Sequence, residues 1–198
     1  MLTHVYLIRH AHSAYTADDE SRPLSEQGFK DAKHIAQLLK HEKIELVLSS
    51  PYKRAIQTVQ GIAEDIGKEI ITVDGFKERK LSASSVQDFP AAVKYVWKHH
   101  TVSLEGGESN VDAQKRGVSA LLAAVETYEG NHLAIGTHGN IMALMMNFFD
   151  EQYDYSFWKK LDMPDIYKLS FEQKDLKEVK RIWNRDYAGN LAGSNTMI

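Results

Sequence analysis

The sequence has no cysteine. That excludes disulfides, thiolate zinc sites and a cysteine nucleophile, although it leaves the compartment open. It has no long apolar run either. The most apolar stretch, roughly Ile141 to Phe149, is too short to span a bilayer. No basic segment followed by an apolar run stands at the start, so a secretory leader is not expected. Net charge is small, at -3, which gives no reason to expect a nucleic-acid partner. No internal repeat or low-complexity segment is present. A cytoplasmic enzyme with no membrane contact is the default expectation.

What remains is an ordinary globular composition, 43% hydrophobic over 198 residues and rich in histidine, with nine. The length suits one domain over residues 1–198. Val5 to Ile8 reads as a buried strand. A helix starts near Leu24-Ser25, with Ala32, Ile35, Ala36, Leu38 and Leu39 at helical spacing, and either Ser21 or Ser25 suits its cap. Glu45 to Ser49 is a second strand, followed by a helix from Pro51 to Ile66 that Gly67 closes. Ile70 to Val73 is a third strand. Residues 75–108 form a long excursion without clean periodicity, holding one helix near Val86 to His99. A helix runs from Asn110 to about Glu129, capped by Ser109 or Asn110. A strand follows from His132 to Gly136, then a helix from Gly139 to Phe149. Two more strands, Ile166 to Phe171 and Glu178 to Trp183, are joined by about six polar residues, too few for a parallel crossover. The last fifteen residues look frayed. This order predicts a three-layer α/β/α sandwich whose sheet is mainly parallel with an antiparallel edge.

Three segments share one grammar: a buried strand, polar residues at its C-terminal end, then a helix. They end in Arg9-His10, in Ser49-Ser50-Pro51-Tyr52-Lys53-Arg54, and in Thr137-His138-Gly139. In an open α/β sheet, ligands bind outside the carboxyl ends of the strands. Taken singly, each residue has a plain explanation: a strand-end histidine, a surface arginine, a turn. Their repetition at equivalent points predicts that Arg9, His10, Arg54 and His138 converge. Two guanidinium groups and two imidazoles make an anion site, because arginine forks match phosphate oxygens and helix N-termini add amide donors. A rival reading takes His10-x-His12 as a metal pair, since residues i and i+2 of a strand share a face. Asp18, Asp19 and His138 would complete it, but no metal-ligand spacing supports them.

The segment Leu7-Ile8-Arg9-His10-Ala11-His12-Ser13 resembles the L-x-R-H-G-x-T/S signature of the histidine phosphatase superfamily, also called the phosphoglycerate mutase-like family. Four further matches follow in order: Leu24-Ser25-x-x-Gly28, Ser49-Ser50-Pro51-x-x-Arg54-Ala55-x-x-Thr58, Gly107-Glu108-Ser109 and Thr137-His138-Gly139. The resemblance implies the phosphoglycerate mutase-like fold. It also implies metal- and cofactor-independent phosphoryl transfer in which His10 becomes phosphohistidine. Arg9, Arg54 and His138 would hold the phosphoryl oxygens, with Ser13 and Asn140 as further phosphate contacts. His138 would have to be a cation or a donor, with phosphate charge raising its pKa. Glu78, shortly after the third strand, would protonate the leaving group.

The chain departs from the family pattern in places. Ala11 replaces the usual glycine, and Thr16 stands where asparagine is frequent. Lys80-Leu81-Ser82-Ala83-Ser84 replaces a common G-x-W-E-G after the glutamate. A short excursion favours a phosphatase acting on small phosphomonoesters over a mutase, which uses longer insertions to shield its intermediate. A non-catalytic phospho-ligand binding protein is the alternative of a different class, and retention of all four pocket residues speaks against it. Oligomeric state is not legible.

Overall fold

The computed structural model of the chain describes residues 1–184. The frayed tail expected from the sequence therefore lies, apart from Asn184, outside the described residues.

The central parallel strands form where apolar residues run almost without interruption, because strands covered on both faces need apolar side chains on both. β1 (Leu2–Arg9), β2 (Leu46–Ser49), β3 (Ile70–Thr72) and β4 (His132–Thr137) are parallel, while β5 (Asp165–Glu172) and β6 (Asp175–Arg181) run antiparallel to their neighbours at one edge. The sheet order is β3-β2-β4-β1-β5-β6. Side-chain alternation divides β1 between two cores. Val5 and Leu7 face one cluster with Leu133, Ile135 and the helical residues Leu121, Val125, Met142 and Met145. Tyr6 and Ile8 face the other, with Ala134, Ile35, Leu39, Val59 and Ile62.

The outer layers are therefore α1 (Glu26–Leu39) and α2 (Lys53–Ile66) on one side, and α3 (Phe89–Lys98), α4 (Asn110–Thr127) and α5 (Gly139–Phe149) on the other. The three-layer expectation, with its mainly parallel sheet and antiparallel edge, holds. Of the cap candidates, Ser25 accepts from Gly28 N–H and Ser109 from Asp112 N–H. Gly28 is required for another reason. A Cβ there would stand 2.1 Å from the His12 carbonyl oxygen, so the loop after β1 can cross α1 only at a glycine.

The structure shifts several boundaries. α2 begins at Lys53, with Pro51 in the turn before it. α3 begins at Phe89 because Asp88 caps it and Pro90 suits its first turn. α4 ends at Thr127, ahead of Gly130 with its φ of 82°. The polar residues expected to link the last strands mostly belong to them: β6 starts at Asp175, leaving only Gln173-Lys174 as the turn. A short helix, α6 (Tyr155–Lys160), was not anticipated. Capped by Asp154, it lies between α5 and β5.

Candidate active site

β4 sits between β1 and β2, so the three strand ends named above are neighbours. The backbone extends this pairing past the strands. His10 N–H donates to Thr137 O at 2.9 Å, and Ser50 N–H to Gly136 O at 2.8 Å. His138 therefore stands beside His10 on one side and Ser50 on the other. The rings of His10 and His138 meet edge to face at 5.2 Å, and Tyr52 packs edge-on against His138 at 4.9 Å.

His10 is buried, and its Nδ1 lies 2.8 Å from its neighbour's carbonyl oxygen, Ala11 O. A carbonyl only accepts, so Nδ1 carries the proton and the lone pair is on Nε2. Arg54 agrees with this tautomer: its Nε–H donates to His10 Nε2 at 3.2 Å. Burial pushes the His10 pKa down to about 3, against a partial upward pull from the Ala11 carbonyl; Arg54, Arg9 and Arg22 push it further down. The imidazole is thus neutral across the physiological range.

His138 is fully buried, with Nε2 2.8 Å from Ser50 Oγ and Nδ1 without a partner among the described residues. Ser50 Oγ also accepts Tyr52 N–H at 3.3 Å. The hydroxyl can therefore give its proton to His138 Nε2, which leaves Nδ1–H as a donor toward a ligand. Burial holds the His138 pKa well below its ordinary value, reinforced by His10, Arg54 and Arg9. A raised pKa is not a property of the protein groups, which oppose it; the neutral Nδ1–H tautomer meets the need for a donor without a cation.

Arg9 is anchored through one nitrogen. Nη1 donates to Leu161 O at 2.9 Å and Asp162 O at 3.1 Å, while Nε is buried with no partner among the described residues. The Nε–Nη2 edge is left for an anion. Gly139 lies against this edge: a Cβ there would come within 2.8 Å of Arg9 Nε. Arg54 is more fully engaged. Nη1 donates to Asp19 O at 2.6 Å, and the Asp19 carboxylate takes Nη1 at 3.2 Å and Nη2 at 3.4 Å. Its helix neighbour Thr58, at i+4, accepts Ala11 N–H at 3.0 Å and donates to Arg54 O at 2.7 Å, locking the loop after β1 onto α2.

Glu78 stands at the start of α5. Its Oε2 accepts Asn140 N–H at 3.0 Å, and its Oε1 accepts Ile141 N–H at 2.9 Å and Arg79 N–H at 2.8 Å. α5 has no side-chain cap of its own at His138, so a carboxylate from a distant loop takes that place at the positive end of the helix. The loop is braced from below. Arg116 forms a two-pronged pair with Glu108 at 2.7 and 2.9 Å and reaches the carbonyls of Gly75 and Lys77. Thr137 Oγ1 donates to Phe76 O at 3.0 Å.

The structure thus brings Arg9, His10, Arg54, His138 and Glu78 to one end of the sheet. Asn140 is buried there, but its backbone N–H goes to Glu78 and its Oδ1 accepts Trp97 Nε1–H at 2.9 Å. Ser13 pairs through its backbone with Leu24 in an isolated bridge. Thr16 donates to Asp18 O within its own loop. The metal reading lacks geometry. β1 ends at Arg9, so the strand rule does not relate His10 to His12; His12 is exposed and paired with Ser25 Oγ, and Asp19 pairs with Arg54 and Arg22. Among the described residues no cluster of metal-binding side chains occurs. Sequence reasoning missed the roles of Ser50, Thr58, Tyr52 and Asp19. Ser50 and Thr58 lay inside a quoted motif, and the i, i+4 spacing of Arg54 and Thr58 was their available signal.

The sequence model of the family described as Histidine phosphatase superfamily (branch 1) matches residues 5–184. Phosphoglycerate mutase-like protein 4 of Arabidopsis thaliana is 29% identical over 156 residues, covering 70% of this chain and 67% of that protein. Phosphoserine phosphatase 1 of Hydrogenobacter thermophilus is 30% identical over 142 residues, covering 65% and 67%. Among solved structures, a mycobacterial glucosyl-3-phosphoglycerate phosphatase superposes with a TM-score of 0.70 at 20% identity, covering 91% of this chain and 97% of that one. A phosphoserine phosphatase of Entamoeba histolytica gives 0.72 at 21%, covering 89% and 96%.

Proposed function

The chain belongs to the histidine phosphatase superfamily, and from that premise we propose that it hydrolyses small phosphomonoesters through a phosphohistidine on His10. The observation that carries this reading is the tautomer of His10: Nδ1–H is tied to Ala11 O, and Nε2 presents a lone pair that already accepts from Arg54. In the first step Nε2 attacks phosphorus in line, the P–N bond forms and the P–O ester bond breaks. Glu78, held as a carboxylate in the free site, must first take up a proton, which it then gives to the departing oxygen. The free edge of Arg9, the Arg54 guanidinium and His138 Nδ1–H meet the charge on the equatorial oxygens, where fixed donors in a dry site are most effective. In the second step water attacks, its proton passes to Glu78, and the P–N bond breaks to release phosphate. For Arg54 to serve, phosphate must take over part of what Asp19 now occupies, and Arg54 Nε–H must leave the single lone pair of His10 Nε2 that makes the attack.

The names of the relatives, a phosphoserine phosphatase among them, support small phosphorylated metabolites as the substrate class. Selection among them falls to the excursion at 75–108, within which Glu78 itself lies. The cytoplasm is part of the same reading and is tested by cell fractionation. Among the described residues no helix is long and apolar enough to cross a membrane. The decisive test is His10→Ala with an aryl phosphate. Turnover should vanish while the fold persists, and activity near the wild-type level would sink the covalent reading.

A further inference from the structure

We infer that Arg181, on the edge strand β6, is a positioning residue that acts on phosphate binding through Arg9. The connection is a chain of hydrogen bonds and ion pairs. Among the described residues, Arg9 Nη1 is anchored only on the carbonyls of Leu161 and Asp162, in the segment between α6 and β5. That segment is shaped by Asp165, which is fully buried and accepts Asp162 N–H at 2.9 Å through Oδ2 and Ile166 N–H at 3.0 Å through Oδ1. A buried carboxylate needs a counter-charge. Arg181 supplies it as a fork, with Nε to Oδ1 at 2.9 Å and Nη2 to Oδ2 at 2.9 Å, and Nη2 also reaches Asp162 Oδ2 at 2.7 Å.

Without the fork, Asp165 must either take up a proton or move toward water. A proton on Oδ2 weakens it as the acceptor of Asp162 N–H; movement drags the segment with it. Both displace the carbonyls that fix Arg9. The Arg181 side chain itself is 42% exposed, so replacing it opens no core cavity. Burial already pushes the Asp165 pKa up, in the same direction.

The inference rests on the reading of Arg9 as a phosphate clamp, and the test separates the two. Arg181→Met should lower kcat/KM for an aryl phosphate by roughly tenfold, on the scale by which sub-ångström misplacement slows enzymes, and weaken inhibition by inorganic phosphate in parallel. In an Arg9→Ala background the same substitution should change kcat/KM by less than about twofold, whereas in an Arg54→Lys background the full loss should persist. Arg181→Lys should recover part of the activity. A wild-type-like Arg181→Met, or an equal loss with and without Arg9, would overturn the inference. If Arg181→Met does not fold, the cycle is run with Arg181→Lys, for which the same non-additivity is required. An Arg9→Ala protein with undiminished activity would instead overturn the clamp.

Discussion

Gly139→Ala separates the geometry of the clamp from the stability of the fold. The added Cβ would stand 2.8 Å from Arg9 Nε, 2.9 Å from Cζ and 3.2 Å from Nη2. Ordinary contact begins near 3.4 Å, so the guanidinium edge must retreat by about 0.6 Å. It is the end of a flexible side chain and can do so at little energetic cost, but Nη1 is held by Leu161 O and Asp162 O, so it tilts rather than translates. A 1 Å misplacement can cost about a hundredfold in rate, which makes roughly tenfold in kcat/KM, or about 1.4 kcal/mol, the expected loss here. The helix responds oppositely. Gly139 opens α5 with an ordinary negative φ, and alanine is the better helix former by up to about 1 kcal/mol. The melting temperature should hold or rise by roughly 2–4 °C. Steady-state kinetics with an aryl phosphate, inhibition by inorganic phosphate and a thermal melt read all three quantities. Activity within twofold of wild type refutes the clamp geometry. Activity and melting temperature falling together refutes the claim that the effect is local.

The neutral imidazoles predict the acid side of the pH profile. With the His10 pKa lowered from 6.5 to about 3, the nucleophile is unprotonated throughout the range in which an ordinary histidine gains its proton, so kcat/KM corrected for substrate ionisation should show no histidine step near 6.5; such a step, lost in His10→Ala, would contradict the burial argument. For stability the sign is the same: the unfolded chain binds the proton first, so this contribution is complete above pH 6.5 and is lost as pH falls from there toward 3. Glu78→Gln should slow alkyl phosphates by about a hundredfold or more while affecting a nitrophenyl ester much less, since only the poor leaving group needs the proton; equal losses would argue that Glu78 serves the structure alone. Thr58→Val strands the Ala11 amide and should lower unfolding free energy by about 1–3 kcal/mol in a denaturant titration; an unchanged midpoint would show that the loop finds another partner.

The parts of the fold legible in the sequence are those governed by local rules. Buried parallel strands must be apolar throughout, and Ser25, Gly67 and Ser109 mark helix ends by capping chemistry. The sequence marks β6 only from Glu178 because its residues are mostly exposed, so its N-terminal half carries no apolar alternation beyond Leu176. α6 spans six residues, too few to display a helical period. In the site, Arg9, His10, Arg54 and His138 were legible because each ends a strand or opens a helix. Glu78 was found only through the family resemblance, since nothing local predicts that a loop carboxylate will cap a helix 60 residues away. The Leu161 and Asp162 carbonyls that seat Arg9 are main-chain atoms, which no side-chain pattern can announce.

The central place of β4 has a consequence for how the protein comes into being. β1 and β2 are synthesised before β4 but are not neighbours in the sheet; the strand that joins them, β4, begins at residue 132. A chain emerging from the ribosome thus carries Arg9, His10 and Arg54 long before anything holds them together, and the segment that seats Arg9 comes later still. Insertion of β4 between two waiting strands is a non-local event of the kind that slows folding. Catalytic competence should accordingly appear in one step, after the segment that seats Arg9 has been made, and no nascent fragment that stops short of it should turn over substrate.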